Sequence, residues 1–201
     1  TLQQEAARRL RFTARKTMMV AQQLYEGIDV DGEATGLITY MRTDSTRLAP
    51  EAVEGARSYI QSQFGPDYVP KKPRQYRRGK AAQDAHEAIR PTDMNLLPST
   101  LESSLNRDQH RLYRLIWERF IACQMAPAVF DRTTVEISAG DYGLRATGSI
   151  LKFPGFTALY TEGSDDEQEE AEGRLPDSLA EGDSLALKEL DPQQHFTKPP
   201  P

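Results

Sequence analysis

Tyr40 and Arg42, two residues apart and followed by Thr43, Asp44, Ser45 and Thr46, form the group in this chain best suited to phosphate chemistry. A protonated phenol attacks phosphorus poorly, and a cation held nearby favours its phenolate. A guanidinium also offers planar, forked donors to phosphate oxygens. The run Leu37 to Met41 is β-prone and breaks into Thr, Asp and Ser, the composition of a strand entering a turn. Alternate side chains of a strand share a face, so Ile38, Tyr40 and Arg42 are expected to point one way and converge at the mouth of the turn. The same two residues also fit a half-buried strand tyrosine with an arginine capping its ring.

The elements around this run are mainly helical up to residue 126. Thr1 and Gln4 carry a Thr-x-x-Gln capping-box signature, with Leu2, Ala6 and Leu10 at helical spacing behind it. Thr13 caps a second helix whose apolar positions are Met18, Ala21, Leu24 and Tyr25, ended by Gly27. The two join near Arg11 and Phe12 in a helix-turn-helix-like pair. Core packing is the default reading of that pair, Met18 and Met19 included, with Arg8, Arg9, Arg11, Arg15 and Lys16 as candidate contacts to a nucleic-acid backbone. Ile28 to Thr35 reads as a loop. Pro50 opens a third helix that runs to Phe64 before Gly65, with Val53, Ala56, Ile60 and Phe64 inward. Asn106 and Gln109 open a longer helix bearing Leu112, Leu115, Ile116, Phe120 and Cys123, and Pro127 stops it.

After Pro127 the texture turns to short runs of Val, Thr, Ile, Phe and Gly. Val129 to Ser138 and Leu144 to Leu151 read as two strands, and Leu185 to Leu190 as another. Between them the acidic segment Glu162 to Glu172 has almost no apolar content and reads as disordered. The expected class is therefore α+β: a mainly helical domain over residues 1–126, then a partial antiparallel β domain over 127–201 with a disordered acidic loop near 162–173.

Charge divides along the same line. Residues 1–126 hold 19 Lys and Arg against 15 Asp and Glu, while residues 127–201 hold 6 against 15, so a polyanion suits the first part alone. Lys71, Lys72, Arg74, Arg77, Arg78 and Lys80 stand without an acid among them and with Tyr76 between, a mixture that suits a loop touching phosphates and stacking on a base. A solvated loop fits the same composition. No apolar run approaches the ~20 residues needed to cross a bilayer, and the single cysteine, Cys123, excludes an internal disulfide and reads as a buried structural thiol. The chain is expected to be soluble and intracellular. Its start at a helix cap and its end in a proline-rich stretch suggest a piece of a longer protein.

The run Gly36-Leu37-Ile38-Thr39-Tyr40-Met41-Arg42-Thr43-Asp44-Ser45-Thr46 resembles the active-site tyrosine segment of type IA DNA topoisomerases, the bacterial ones in particular. Ala85-His86-Glu87-Ala88-Ile89-Arg90-Pro91-Thr92 resembles a second segment of that family. So do Thr1-Leu2-Gln3-Gln4-Glu5-Ala6 with Lys16-Thr17-Met18-Met19-Val20-Ala21-Gln22, and His195-Phe196-Thr197-Lys198-Pro199-Pro200, so that the likeness spans nearly the whole chain. The resemblance implies that Tyr40 attacks a single-stranded DNA phosphate, that the 3′ oxygen leaves, and that a 5′-phosphotyrosyl ester is held until religation, without ATP. It implies relaxation of negatively supercoiled duplex DNA by strand passage, with the β part forming a portion of the arch.

By the same carry-over Arg42 offsets charge on the phosphate, and His86 lies beside the tyrosine and contacts that phosphate. Arg90 could hold a second phosphate or pair with Glu87 or Asp93. Thr43, Asp44 and Ser45 could orient Arg42, contact DNA or cap the turn. Lys71, Lys72, Arg74, Arg77 and Arg78 are the remaining candidate DNA contacts. The resemblance places a catalytic Glu and a Mg²⁺-binding Asp-x-Asp pattern in a Toprim domain that these residues do not contain. The chain alone is therefore expected to be inactive, to hold no metal, and to work with the remaining domains of its polypeptide in the cytoplasm, at the nucleoid. A noncatalytic helix-turn-helix-like DNA-binding module and a structural domain with an acidic tail are the competing classes.

Overall fold

The longest helix, α4, forms the centre of the structure, a computed structural model that describes residues 1–76, 86–161, 175–176, 178–194 and 196. This helix, Arg107–Gln124, begins with a capping box in which Asn106 accepts from the Asp108 and Gln109 amides while the Gln109 side chain accepts from the Asn106 amide. Leu112, Tyr113, Ile116, Trp117, Phe120 and Ile121 are all buried, so α4 is apolar around most of its girth. Each such side chain contributes ~1.5–3 kcal/mol through burial.

Helix α1, Leu2–Glu5, widens into one π-helical turn, Ala6–Leu10, and stops at Arg11, which adopts φ 59°. The expected Thr1 capping box does not form: the Thr1 side chain makes no cap hydrogen bond, and its carbonyl accepts the Glu5 amide instead. Helix α2, Ala14–Glu26, is capped by Thr13 Oγ1, which accepts from the Lys16 amide at 3.2 Å, and is ended by Gly27 at φ 128°. Its buried stripe is Thr17, Val20, Ala21 and Leu24, whereas Met19 is exposed rather than core and Met18 is half-buried.

The stretch expected to be a loop is a short antiparallel hairpin. β1, Ile28–Val30, pairs with β2, Glu33–Thr35, across Asp31 and Gly32, both at positive φ as a two-residue hairpin turn of this hand requires. The alternation signal was masked because the strands are only three residues each. Helix α3 spans Pro50–Phe64, as its N1 proline and terminal Gly65 predict, and packs Ala56 and Ile60 into the core.

β3, Val129–Ala139, and β4, Tyr142–Phe153, form a long antiparallel hairpin that stands largely in solvent. It is anchored at its base, where the Phe156 amide donates to the Ala126 carbonyl and the Ala126 amide to the Tyr68 carbonyl. Gly155 permits this: at φ 49° it lies so close to Pro127 that a Cβ would stand 2.4 Å from that residue's carbonyl. The strand expected at Leu185–Leu190 is absent from the described residues. Leu185, Leu187 and Leu190 are exposed, and among the described residues no neighbouring edge supplies the main-chain partners a strand needs. The acidic stretch near 162–173 lies outside the described residues. No described helix is long and apolar enough to cross a membrane.

Candidate active site

Residues 36–42 do not form the expected strand. They run extended with one isolated bridge, Ile38 to Pro91, and then bend. Strict alternation needs a ladder to hold the pleat, and a single bridge leaves the chain free to twist. Leu37, Ile38 and Met41 are consequently all buried, while Tyr40 and Arg42 are exposed. Ile38 and Tyr40 do not share a face. The three buried residues act as anchors on either side of a tyrosine that remains 42% exposed.

Main-chain and threonine hydrogen bonds zip this segment to residues 88–92, some fifty positions away. The Thr39 amide donates to the Arg90 carbonyl at 2.9 Å and the Thr92 amide to the Leu37 carbonyl at 3.1 Å. Thr39 Oγ1 donates to the Ala88 carbonyl at 2.7 Å and accepts from the Arg90 amide at 3.0 Å. Thr92 Oγ1 donates to the Gly36 carbonyl at 2.6 Å. Glu87 adds a second clamp: its carboxylate accepts from the Ala49 amide and takes a forked pair from Arg90, at 3.1 Å and 3.0 Å. These bonds bring His86 beside Tyr40, with ring centroids 6.4 Å apart at an interplanar angle of 50°. Tyr25, at the end of α2, meets the Tyr40 ring at 5.4 Å and 66°, an edge-on contact.

The remaining sequence candidates divide by environment. Arg42 is exposed, makes no hydrogen bond or ion pair with a described residue, and lines a cleft of about 880 Å³ together with Thr43, Asp44 and Ser45. Tyr40 does not line that cleft. Thr43 Oγ1 accepts from the Ser45 amide at 3.0 Å and Ser45 Oγ from the Arg47 amide at 3.1 Å, which caps the turn after Arg42. Asp44 is exposed and does not pair with Arg42. Arg90 is only 13% exposed; with Glu87 and the Pro91 carbonyl as partners, its guanidinium is committed to the salt bridge, one of its two expected roles.

Lys71, Lys72 and Arg74 are exposed after Tyr68, whereas Arg77 and Arg78 lie outside the described residues. Tyr76, read as a stacking residue, donates its hydroxyl to the Cys123 carbonyl at 2.8 Å and lashes this basic strip to the end of α4. Burial, then neighbouring Cys123, pushes the Tyr76 phenol up to about 12. Cys123 itself is half-buried rather than sealed in the core.

The helix pair offers fewer cations than its sequence counts. Arg8 pairs with Glu5 at 3.5 Å, Lys16 with Asp108 at 2.6 Å, and Arg9 lies 4.5 Å over the Tyr160 ring, leaving Arg11 and Arg15 exposed. In the cleft, buried Glu5 accepts from the Tyr160 hydroxyl, which Arg119 also reaches at 3.3 Å. Among the described residues no group of three His, Cys, Asp or Glu stands together to hold a metal ion.

The sequence alone gives Tyr25 as an apolar position of α2 and Glu87 as a possible partner of Arg90, but it assigns no role to Thr39 or to the bond between Glu87 and the Ala49 amide. Neither the Thr39 bonds nor the Glu87–Ala49 bond has a spacing signal, because each spans a long sequence separation. The place of Thr39 and Glu87 inside the two matched segments was the available clue.

A family model described as DNA topoisomerase matches residues 1–201. The solved structure of full-length topoisomerase I from Thermotoga maritima matches with a TM-score of 0.69 and 40% sequence identity, over 82% of this chain and 27% of that one. The chain thus corresponds to about a quarter of that protein's length.

Proposed function

The chain belongs to the type IA DNA topoisomerase family, and from that premise we propose that it carries the nucleophile of reversible single-strand cleavage. The Tyr40 oxygen attacks a phosphorus of single-stranded DNA, the phenol proton departs, and the 3′ oxygen leaves as the 5′-phosphotyrosyl ester forms. Arg42 reaches from the cleft side to the non-bridging oxygens, and His86 donates to the same phosphate from the other flank. Thr43, Asp44 and Ser45 keep the turn that presents Arg42. Lys71, Lys72 and Arg74 follow the strand backbone as exposed cations. Arg90 serves through Glu87 by fixing the segment that carries His86. Religation reverses the step without ATP, and in the full polypeptide the cycle relaxes negatively supercoiled DNA.

The observation that carries this reading is the exposed Tyr40 ring held beside His86 by bonds between two distant segments. The described residues do not fit a Mg²⁺ site, so no step runs through one here; the ion belongs with the acids of the Toprim domain, which also supply the proton to the leaving oxygen. The chain alone is accordingly inactive.

The test mixes this chain with a separately made Toprim domain, Mg²⁺ and a labelled single-stranded oligonucleotide. A tyrosine-linked adduct should form in the mixture and be lost with Tyr40→Phe. Relaxation by the chain alone, or an adduct on the Phe variant, would overturn the reading. A binding-only module would hold DNA equally well with either residue at position 40 and yield no adduct.

A further inference from the structure

Tyr40 sits on an extended segment outside any sheet, and its ring is nearly half exposed, so side-chain rotation would swing the hydroxyl through a wide arc unless something stops it. Among the described residues two rings flank it, those of His86 and Tyr25. His86 belongs to the proposed phosphate site. Tyr25 does not.

The α2 core is already complete without Tyr25. Thr17, Val20, Ala21 and Leu24 fill the inward face, and Tyr25 stands on the flank, 40% exposed. Its placement against Tyr40 is set by main-chain geometry. The Leu37 amide donates to the Leu24 carbonyl at 2.7 Å, and Gly36 passes so near the Tyr25 carbonyl that a Cβ would lie 2.8 Å from it. The backbones on either side are thus pinned together one residue before Tyr25 and three before Tyr40. Within that frame the two rings take the edge-on arrangement that aromatic quadrupoles prefer.

We infer that Tyr25 is a positioning residue for the nucleophile: its ring limits Tyr40 to the orientations in which the hydroxyl faces the same open side as His86. The inference rests on the proposed role of Tyr40. It assigns the work to the ring of Tyr25 and not to its hydroxyl, since that hydroxyl makes no hydrogen bond with a described residue.

The experiment uses the full-length protein with Tyr25→Phe, Tyr25→Leu and Tyr25→Ala beside Tyr40→Phe. It reads adduct formation on a labelled single-stranded oligonucleotide as a function of DNA concentration. The Leu and Ala variants should cleave about tenfold more slowly at saturation with half-saturation unchanged, and the Phe variant should match the parent. Leu fills the flank without a ring and serves where Ala fails to fold. In this chain, Tyr40 ring-proton resonances should shift on Tyr25→Leu and stay on Tyr25→Phe.

Parental cleavage by the Leu variant, with Tyr40→Phe inactive, overturns the inference and leaves the nucleophile intact. Equal loss in Phe and Leu variants overturns it in favour of the hydroxyl, and a change confined to half-saturation overturns it in favour of a DNA contact. An adduct surviving Tyr40→Phe would instead remove the reading beneath it.

Discussion

Replacing Gly36 by alanine tests whether the nucleophile segment is held by its close approach to α2. The new methyl carbon would stand 2.8 Å from the Tyr25 carbonyl oxygen, 0.6 Å inside the 3.4 Å at which ordinary van der Waals contact begins. The obstacle is backbone, which cannot rotate away. The segment must therefore retreat and stretch the 2.7 Å bond from the Leu37 amide to the Leu24 carbonyl, the 2.6 Å bond from Thr92 to Gly36, or both. Overpacking of this kind costs ~1–3 kcal/mol. A shift of about half an ångström at the reacting atom should slow cleavage by roughly ten- to a hundredfold, since a 1 Å misplacement costs on the order of 10². Urea unfolding of this chain measures the first, and adduct formation by the full-length Gly36→Ala protein at saturating oligonucleotide measures the second. Parental stability together with parental cleavage would refute the claim that this approach positions Tyr40.

Glu87→Gln should destabilise the chain by about 2 kcal/mol, because one charge-assisted fork to Arg90 and the bond from the Ala49 amide are weakened together. Unfolding midpoints report this, and cleavage should fall with it through His86 although Glu87 itself makes no phosphate contact in the proposed site. The Tyr76 phenol, raised by burial to about 12, keeps its proton in the native state while the unfolded chain loses its own near the ordinary value of 10.0. Stability from this group is therefore complete below pH 10 and declines as pH rises towards 12. Tyr76→Phe should flatten that part of the alkaline unfolding profile, and phenolate absorbance should lose one late-titrating tyrosine.

Helices were legible wherever a local device set their ends. Thr13 with Gly27, Pro50 with Gly65, and Asn106 with Gln109 all lie within a few residues of what they terminate, and the structure places α2, α3 and α4 accordingly. The long hairpin was legible by its β-branched runs, and its strands extend only a few residues beyond expectation. Leu37–Met41 and Leu185–Leu190 misled for a related reason: strand composition records a preference, while a strand requires a continuous partner edge, and the first run has a single bridge, to Pro91, whereas the second pairs with nothing among the described residues. The site was legible as residue types more than as contacts. Tyr40, Arg42 and His86 stood out through matched segments and the Arg90–Glu87 pair was one of the roles expected of Arg90, yet the Thr39 bonds to residues 88–90 and the Tyr25 ring against Tyr40 follow from the path of the backbone, which brings distant positions together.

The central claim is tested most directly by locating the covalent bond. The full-length protein is trapped on a single-stranded oligonucleotide, digested with protease and nuclease, and its peptides sequenced by mass spectrometry. The account predicts a nucleotide mass on the peptide containing Tyr40, fragmenting at that residue, and none in the Tyr40→Phe protein. A nucleotide on another tyrosine, Tyr25 included, or an adduct persisting in the Phe variant, would contradict it.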